Sequence, residues 1–360
     1  MSGSSLDGLD LAACTFHFVQ QQLSEWQMLQ AHTAPFPTDL RHRLATAPKA
    51  SGKGLWLLHV ELGSWMGQQA RTFLDSYELN VQLIASHGHT VFHMPEHHAT
   101  AQIGDGASLA IAAHLPVACD FRSVDVATGG QGAPLAPLAD RWLFPGYDCY
   151  LNLGGIANLS VRQADNTFIA GDLTGCNQIL DALAREAGRE WDENGQLAAS
   201  GTVLSELLKQ LAQLSWFEKS WPRSLSNAWV QSEQLPLLMQ HEGHITDLLR
   251  TAVEHIAQQV ADAVRLYAPH AQRMLITGGG ALNTFLLTRI EALLPRYIEG
   301  VVPHTHIIQY KEAALMAFMG ALRWFGWPNT LATATGAPYD TVGGALYEPF
   351  PQKLLPHEST

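Results

Sequence analysis

Cysteine is scarce in this chain. Cys14, Cys119, Cys149 and Cys176 are scattered and form no CxxC pair, which excludes a disulfide framework and a zinc knuckle and suits a reducing compartment. Basic residues are few as well: 21 Lys and Arg stand against 33 Asp and Glu, a formal charge of −12. Such a surface repels phosphate backbones, so no nucleic-acid partner is expected. No apolar run is long enough to cross a bilayer, and no basic start followed by an apolar stretch marks a secretion signal. The expectation is a cytoplasmic protein with no membrane partner, and a homodimer is compatible with it. GxxxxGK[ST] and GxGxxG are both missing, so a P-loop and the dinucleotide fingerprint are out.

What remains is a chain able to bury a large core, 47% hydrophobic and 15% charged over 360 residues, long for one core and comfortable for two lobes. Leu9 to Val19 reads as a strand. Residues 55–79 carry apolar positions at helical spacing, and VQLIASHG, TVFHMP and AQIG read as strands. Asp105 to His114 reads as a capped helix before Pro116. Cys149 to Val161 reads as two strands around a glycine turn, followed by helices at 175–188 and 201–213. Leu249, Val253, Ile256, Val260 and Val264 share one helix face, and Pro269 stops that helix. A strand at 273–277, a helix to about Leu294 and a helix over 311–327 complete the series. Two strand groups, each opened by a glycine hairpin and followed by helices, predict two related α/β lobes.

Three glycine signatures lie far apart: MSGSSLDGLD at 1–10, LNLGGIAN at 151–158 and TGGGALN at 277–283. Glycine allows tight turns and lets backbone amides approach an anion. Each loop alone is most often just a turn. Together, each beside a strand, they suit a polyphosphate clamp, with Ser4 and Ser5 adding hydroxyls and Asp7 and Asp10 adding carboxylates.

The five histidines between 87 and 98 tempt a metal reading. His87 and His89 alternate on a strand, but no third ligand has convincing spacing, so hydrogen-bonded strand histidines with a solvated His97-His98 turn are the better reading. Arg122 lies between Asp120 and Asp125, where an ion-pair network and an anion-binding fork weigh equally. Asp172, in GDLTGCN before a helix, fits the carboxylate that orients a nucleophile in phosphoryl transfer. A plain turn or N-cap aspartate competes with that reading. Asp181 reads as a first-turn helix residue. Glu312, at the start of the 311–327 helix, is either a dipole-favoured acid or a second carboxylate at the site.

These motifs resemble the anhydro-N-acetylmuramic acid kinase family, within the actin, heat-shock chaperone and sugar kinase superfamily. MSGSSLDGLD is similar to the family's MSGTSLDGVD. SHGHTVFH, QIGD, DFRSVD, GGQGAPL, LNLGGIANLS, GDLTGCNQILD, TGGGALN, KEAALMAF and ATGAPYDTVGGALYEP follow in the family's order to about residue 347. The resemblance implies a two-lobed actin-like, ribonuclease H-like α/β fold with a cleft between lobes. Residues 1–128 with about 345–360 would form one lobe and 129–344 the other. It implies a kinase that uses ATP and Mg2+ to open the 1,6-anhydro ring of N-acetyl-anhydromuramic acid with water and phosphorylate O6. The product is N-acetylmuramic acid 6-phosphate, in cell-wall recycling. Asp172 aligns with the catalytic aspartate, and Arg122, Glu312 and Asn177 with substrate positions. Gly3, Ser4, Ser5, Leu6, Asp7, Gly8, Leu9 and Asp10 match the ATP loop, joined by Gly154, Gly155, Gly278, Gly279 and Gly280. Asp7 and Asp172 would reach Mg2+ through water.

Three departures stand out. The family has an apolar strand ahead of MSG and this chain starts inside the loop, so a misplaced start or a truncation is expected. The family's DTGPGN becomes DLTGCN at 172–177, which bears on substrate selectivity. KSTGRE becomes KSWPRS from Lys219, which reads as one diverged surface loop. A sugar kinase with another amino-sugar substrate and a catalytically impaired ATP-binding homologue are the rivals.

Overall fold

A computed structural model describes residues 1–2, 6–165, 167–219, 221 and 223–349. Its strands are β1 (Gly8–Val19), β2 (Gln22–Pro35), β3 (Ile84–Ser86), β4 (His89–Met94), β5 (Ala99–Ile103) and β6 (Val117–Cys119), then β7 (Cys149–Leu153), β8 (Ile156–Arg162), β9 (Phe168–Gly175), β10 (Arg273–Thr277), β11 (Glu299–Val301) and β12 (Ala345–Tyr347). The chain divides into two compact units, 1–143 with 310–360, and 144–309. These boundaries differ from the expected 128/129 and 344/345. Helix Ala136–Trp142 and most of helix Thr305–Trp324 fall in the first unit, where Lys311 Nζ meets the buried Asp140 carboxylate at 2.6 Å.

In the second unit the sheet order is β11-β10-β7-β8-β9. β7, β8 and β9 run antiparallel in turn, while β10 is parallel to β7 and β11 to β10. Read from β9, this is the 3-2-1-4-5 order of the expected ribonuclease H-like lobe. Helix Ile245–Tyr267 packs against β8 and β9 and against helices Asn177–Glu186 and Thr284–Leu293. Its Leu249, Val253, Ile256, Val260 and Val264 are all buried, as their three- and four-residue spacing predicts. Each such side chain contributes about 1.5–3 kcal/mol on burial.

The first unit holds a β1-β2 hairpin, a β12-β6-β3 sheet and a β4-β5 hairpin. The sequence reading missed β2. Its turn is Gln20-Gln21, both at positive φ (50° and 63°), the geometry of a tight two-residue hairpin loop without the Asn-Gly that usually marks one. Register shifts after Ala13 and His17 also break the alternation of β1 against β2. Helix Gly106–Ala113 has the expected caps: Asp105 Oδ2 accepts from the Ser108 amide at 2.8 Å, and His114 takes a left-handed φ of 54°. Helix Thr305–Trp324 starts six residues before the expected 311, so Glu312 stands two turns inside it rather than at its start. The helix dipole therefore does not account for Glu312.

Candidate active site

Asp172 sits on β9 where the pairing with β8 slips. Thr174 pairs with Ala157 and Asp172 with Asn158, leaving Leu173 as the extra residue of a bulge. Bulges re-aim side chains and are common beside active sites. The carboxylate is half-buried, and its Oδ2 accepts from the Leu225 amide at 2.6 Å. Burial pushes the Asp172 carboxyl above its ordinary range, opposed by the Leu225 amide, the Ser224 side chain and Arg223. A raised pKa makes the carboxylate a better proton acceptor.

The segment around Arg223 is where the sequence reading is corrected. Within the stretch read as one diverged surface loop, Arg223 is not detached, since Arg223 and Leu225 bond to Asp172. The Asp172 amide donates to the Arg223 carbonyl at 2.9 Å, and Arg223 Nε donates back to the Asp172 carbonyl at 3.1 Å. The Arg223 guanidinium lies over the Trp216 ring, 4.4 Å from its centroid. Trp221 presses on β9 so closely that a Cβ on Gly171 would lie 2.7 Å from its ring, and it stacks on Tyr267 at 4.0 Å. No local signal tied residue 223 to residue 172.

Gly154 and Gly155 form the β7–β8 turn. Neither has positive φ, and their carbonyls accept from the Asn177 and Cys176 amides at 3.0 and 2.8 Å, fixing the start of helix Asn177–Glu186. Gly278 is the demanding glycine: its φ is +84°, and a Cβ there would stand 2.7 Å from the Leu153 backbone and from Asn152 Oδ1. Gly279 and Gly280 begin a short 3-10 turn, and helix Thr284–Leu293 starts only after Asn283, whose side chain caps it. Asn177 donates to the Leu153 carbonyl at 2.9 Å and packs against Gly279 and Gly280, so its side chain ties these loops together. Asp181 falls just beyond the first turn of its helix, and burial raises its carboxyl pKa.

In the first unit, the expected ATP-loop residues Gly3, Ser4 and Ser5 lie outside the described residues. Ser2 bridges Leu9 antiparallel, Leu6 has a left-handed φ of 56°, and Asp7 is exposed. Asp10 Oδ1 accepts from the Thr33 hydroxyl at 2.6 Å, tying the loop to β2.

Arg122 and Glu312 line one cavity of about 570 Å³, with His87, His89, Ser2 and Leu6 also on its wall. The ion-pair reading of Arg122 does not hold among the described residues. Asp120 accepts from the Ser123 hydroxyl, and Asp125 accepts from the Gly132 amide at 2.7 Å and the Thr335 hydroxyl at 2.7 Å. Arg122 instead donates through Nε to His87 Nε2 at 2.8 Å and through Nη1 to the Gly132 carbonyl at 2.6 Å. Burial lowers its pKa, and Glu312 acts on it in the opposite direction. A mostly buried guanidinium without an ion pair is costly unless an anion joins it. His89 and His93 on β4 have hydrogen-bond partners, the Ser2 hydroxyl and Thr100. His87 falls just after β3 rather than on a strand and meets the Gly88 carbonyl, and His98, in the exposed turn after Pro95–His97, meets the Val126 carbonyl.

The second unit offers a half-buried carboxylate, Asp172, and glycine turns, and the first a guanidinium, Arg122, that lines a cavity; groups of these kinds serve phosphoryl transfer to a small molecule. The class is that of the small-molecule kinases. The model of the anhydro-N-acetylmuramic acid kinase family matches residues 1–349, and the chain belongs to that family. It is 33% identical to the anhydro-N-acetylmuramic acid kinase of Pasteurella multocida (strain Pm70), across 96% of this chain and 95% of the relative. It is 33% identical to that of Vibrio cholerae, across 97% of both. Among solved structures it is similar to the activator of the 2-hydroxyisocaproyl-CoA dehydratase from Clostridium difficile. That likeness has a TM-score of 0.33 at 18% identity, over 50% of this chain and 61% of the other.

Proposed function

We propose that the chain uses ATP to phosphorylate anhydro-N-acetylmuramic acid while opening its 1,6-anhydro ring with water. Asp172 takes a proton from the water that attacks C1. The C1–O6 bond breaks, and the released O6 attacks the γ-phosphorus as the bond to the ADP oxygen breaks. One water, one sugar and one ATP give the 6-phosphorylated sugar, ADP and a proton. The raised pKa of Asp172 and its fixed hydrogen bonds support the base role.

The observation that carries the substrate class is Arg122, a half-buried cation without an ion pair among the described residues, open to a cavity it shares with Glu312. Its planar fork suits the lactyl carboxylate. Asn177 is carried over as a substrate contact, reached from the end of its helix. Phosphate binding is assigned to residues 3–10 in the first unit and to Gly154, Gly155 and Gly278 to Gly280 in the second. Asp7 and Asp172 offer the hard oxygen donors that Mg2+ takes, and an ion that keeps most of its waters needs only one or two such carboxylates. When bound, it would neutralise charge on the phosphates. Four free thiols, three of them buried, support a cytoplasmic location. No helix among the described residues is long and apolar enough to cross a membrane.

A coupled ADP-release assay with the anhydro sugar tests this reading. Turnover is expected, and Asp172→Asn is expected to keep nucleotide binding while losing about three orders of magnitude or more in kcat. A better rate with another amino sugar, or no turnover at all, overturns it.

A further inference from the structure

Arg122 is anchored on two sides by groups that belong to neither the ATP loops nor the catalytic aspartate. His87 directly follows β3 and is buried, with its Nδ1 against the Gly88 carbonyl at 3.2 Å. With the proton on Nδ1, Nε2 carries the lone pair that accepts from Arg122 Nε–H at 2.8 Å. The Gly132 carbonyl that takes Nη1 is itself fixed, because its own amide donates to Asp125, a carboxylate with no solvent exposure. The side chain is thus set from below at two of its nitrogens. Among the described residues, no hydrogen bond engages Nη2.

We propose that His87 is a positioning residue that presets Arg122 for the acidic group of the substrate, so that the site selects sugars carrying a carboxylate over neutral ones of the same ring. This rests on the substrate class proposed above. The charge logic agrees with the geometry. A protonated His87 would lose its acceptor and face Arg122 as a like charge. Burial, then the neighbouring Arg122, hold its pKa down at about 3. The other charged or titratable groups on the cavity wall are His89, Glu312 and the Met1 ammonium. His89 is also held toward its neutral form by burial. A preset guanidinium loses less freedom on binding than a mobile one, which favours the ligand that uses it.

The test is calorimetric binding without nucleotide, using anhydro-N-acetylmuramic acid and the same 1,6-anhydro amino sugar lacking its lactyl ether. In His87→Leu the Kd of the acidic sugar is expected to rise about tenfold or more, as in Arg122→Ala, while the neutral sugar changes less than about threefold. His87→Gln keeps an acceptor and is expected to restore most of the loss. The Arg122 Nε–H resonance, shielded in the parent, is expected to become exchange-broadened in His87→Leu and to persist in His87→Gln. Equal losses for both sugars, or an unchanged acidic-sugar Kd in His87→Leu, overturn the proposal. So does a parent that binds neither sugar. A parent that binds the acidic sugar selectively but releases no ADP sinks the reaction and leaves this selection standing.

Discussion

Arg223 and Asp172 are joined by two hydrogen bonds: the Asp172 amide donates to the Arg223 carbonyl, and the side-chain Arg223 Nε donates to the Asp172 carbonyl. The same short segment presents the Leu225 amide to the Asp172 carboxylate. Asp172 is therefore held by a segment 51 to 53 residues further along the chain as well as by its own strand pairing.

Removing that support is expected to act on turnover as well as on stability. Arg223→Met loses the bond to Asp172 and those to the Phe217 and Lys219 carbonyls. Stability is expected to fall by about 1–3 kcal/mol and kcat by about tenfold to a hundredfold, with KM for the sugar changed less. Arg223→Lys is expected not to rescue kcat, because an ammonium lacks the planar fork. Denaturant melts and ADP-release kinetics read both effects, and a parental kcat in Arg223→Met would refute the positioning role.

Acid is expected to destabilise the fold through buried histidines. His255 has no hydrogen-bond partner for either ring nitrogen among the described residues, and its ring packs edge-on against Phe217 at 5.2 Å. Burial lowers its pKa from 6.5 to about 4, and that of His87 to about 3. The unfolded chain binds the proton that the folded chain refuses. Their contribution is therefore fully present above about pH 6.5 and is lost as pH falls toward 4 and 3, at about 1.4 kcal/mol per unit for each group. His255→Leu is expected to flatten this slope by about one proton without loss of stability at pH 7. Urea titrations at pH 5 and pH 7 decide it, and an unchanged slope contradicts the assignment.

The buried Lys311–Asp140 pair docks helix Thr305–Trp324 on helix Ala136–Trp142. Lys311→Met removes the ammonium that faces the buried Asp140 carboxylate at 2.6 Å and is expected to cost about 3 kcal/mol. Adding Asp140→Leu is expected to recover most of that loss. Chemical denaturation of the single and double variants gives the coupling, and simple additivity would mean that the pair does not act as a unit.

The glycine loops separate by their sterics. Gly278→Ala forces a side chain into Leu153 at positive φ and is expected to cost more than about 1 kcal/mol and to weaken nucleotide binding. Gly155→Ala meets nothing within 4 Å and is expected to stay within about 0.5 kcal/mol of the parent. Thermal melts and nucleotide titration compare the two, and equal effects would remove the steric argument.

The sequence by itself determined the elements whose signal is local. The strand before Val19, the capped Asp105 to His114 helix and the helix Ile245–Tyr267 follow from alternation, caps and 3.6-residue spacing, which neighbouring residues alone specify. The order of its motifs, from MSGSSLDGLD to ATGAPYDTVGGALYEP, also pointed to the kinase family. Only the tertiary structure decided what the charged groups touch. Arg122 lay between two aspartates in sequence, yet it bonds to His87 and Gly132, while Asp125 turns to Gly132 and Thr335. Asp172 preceded a helix, yet a distant segment holds it. Hydrogen-bond partners at such separations depend on how strands and loops pack, and no spacing along the chain encodes that packing.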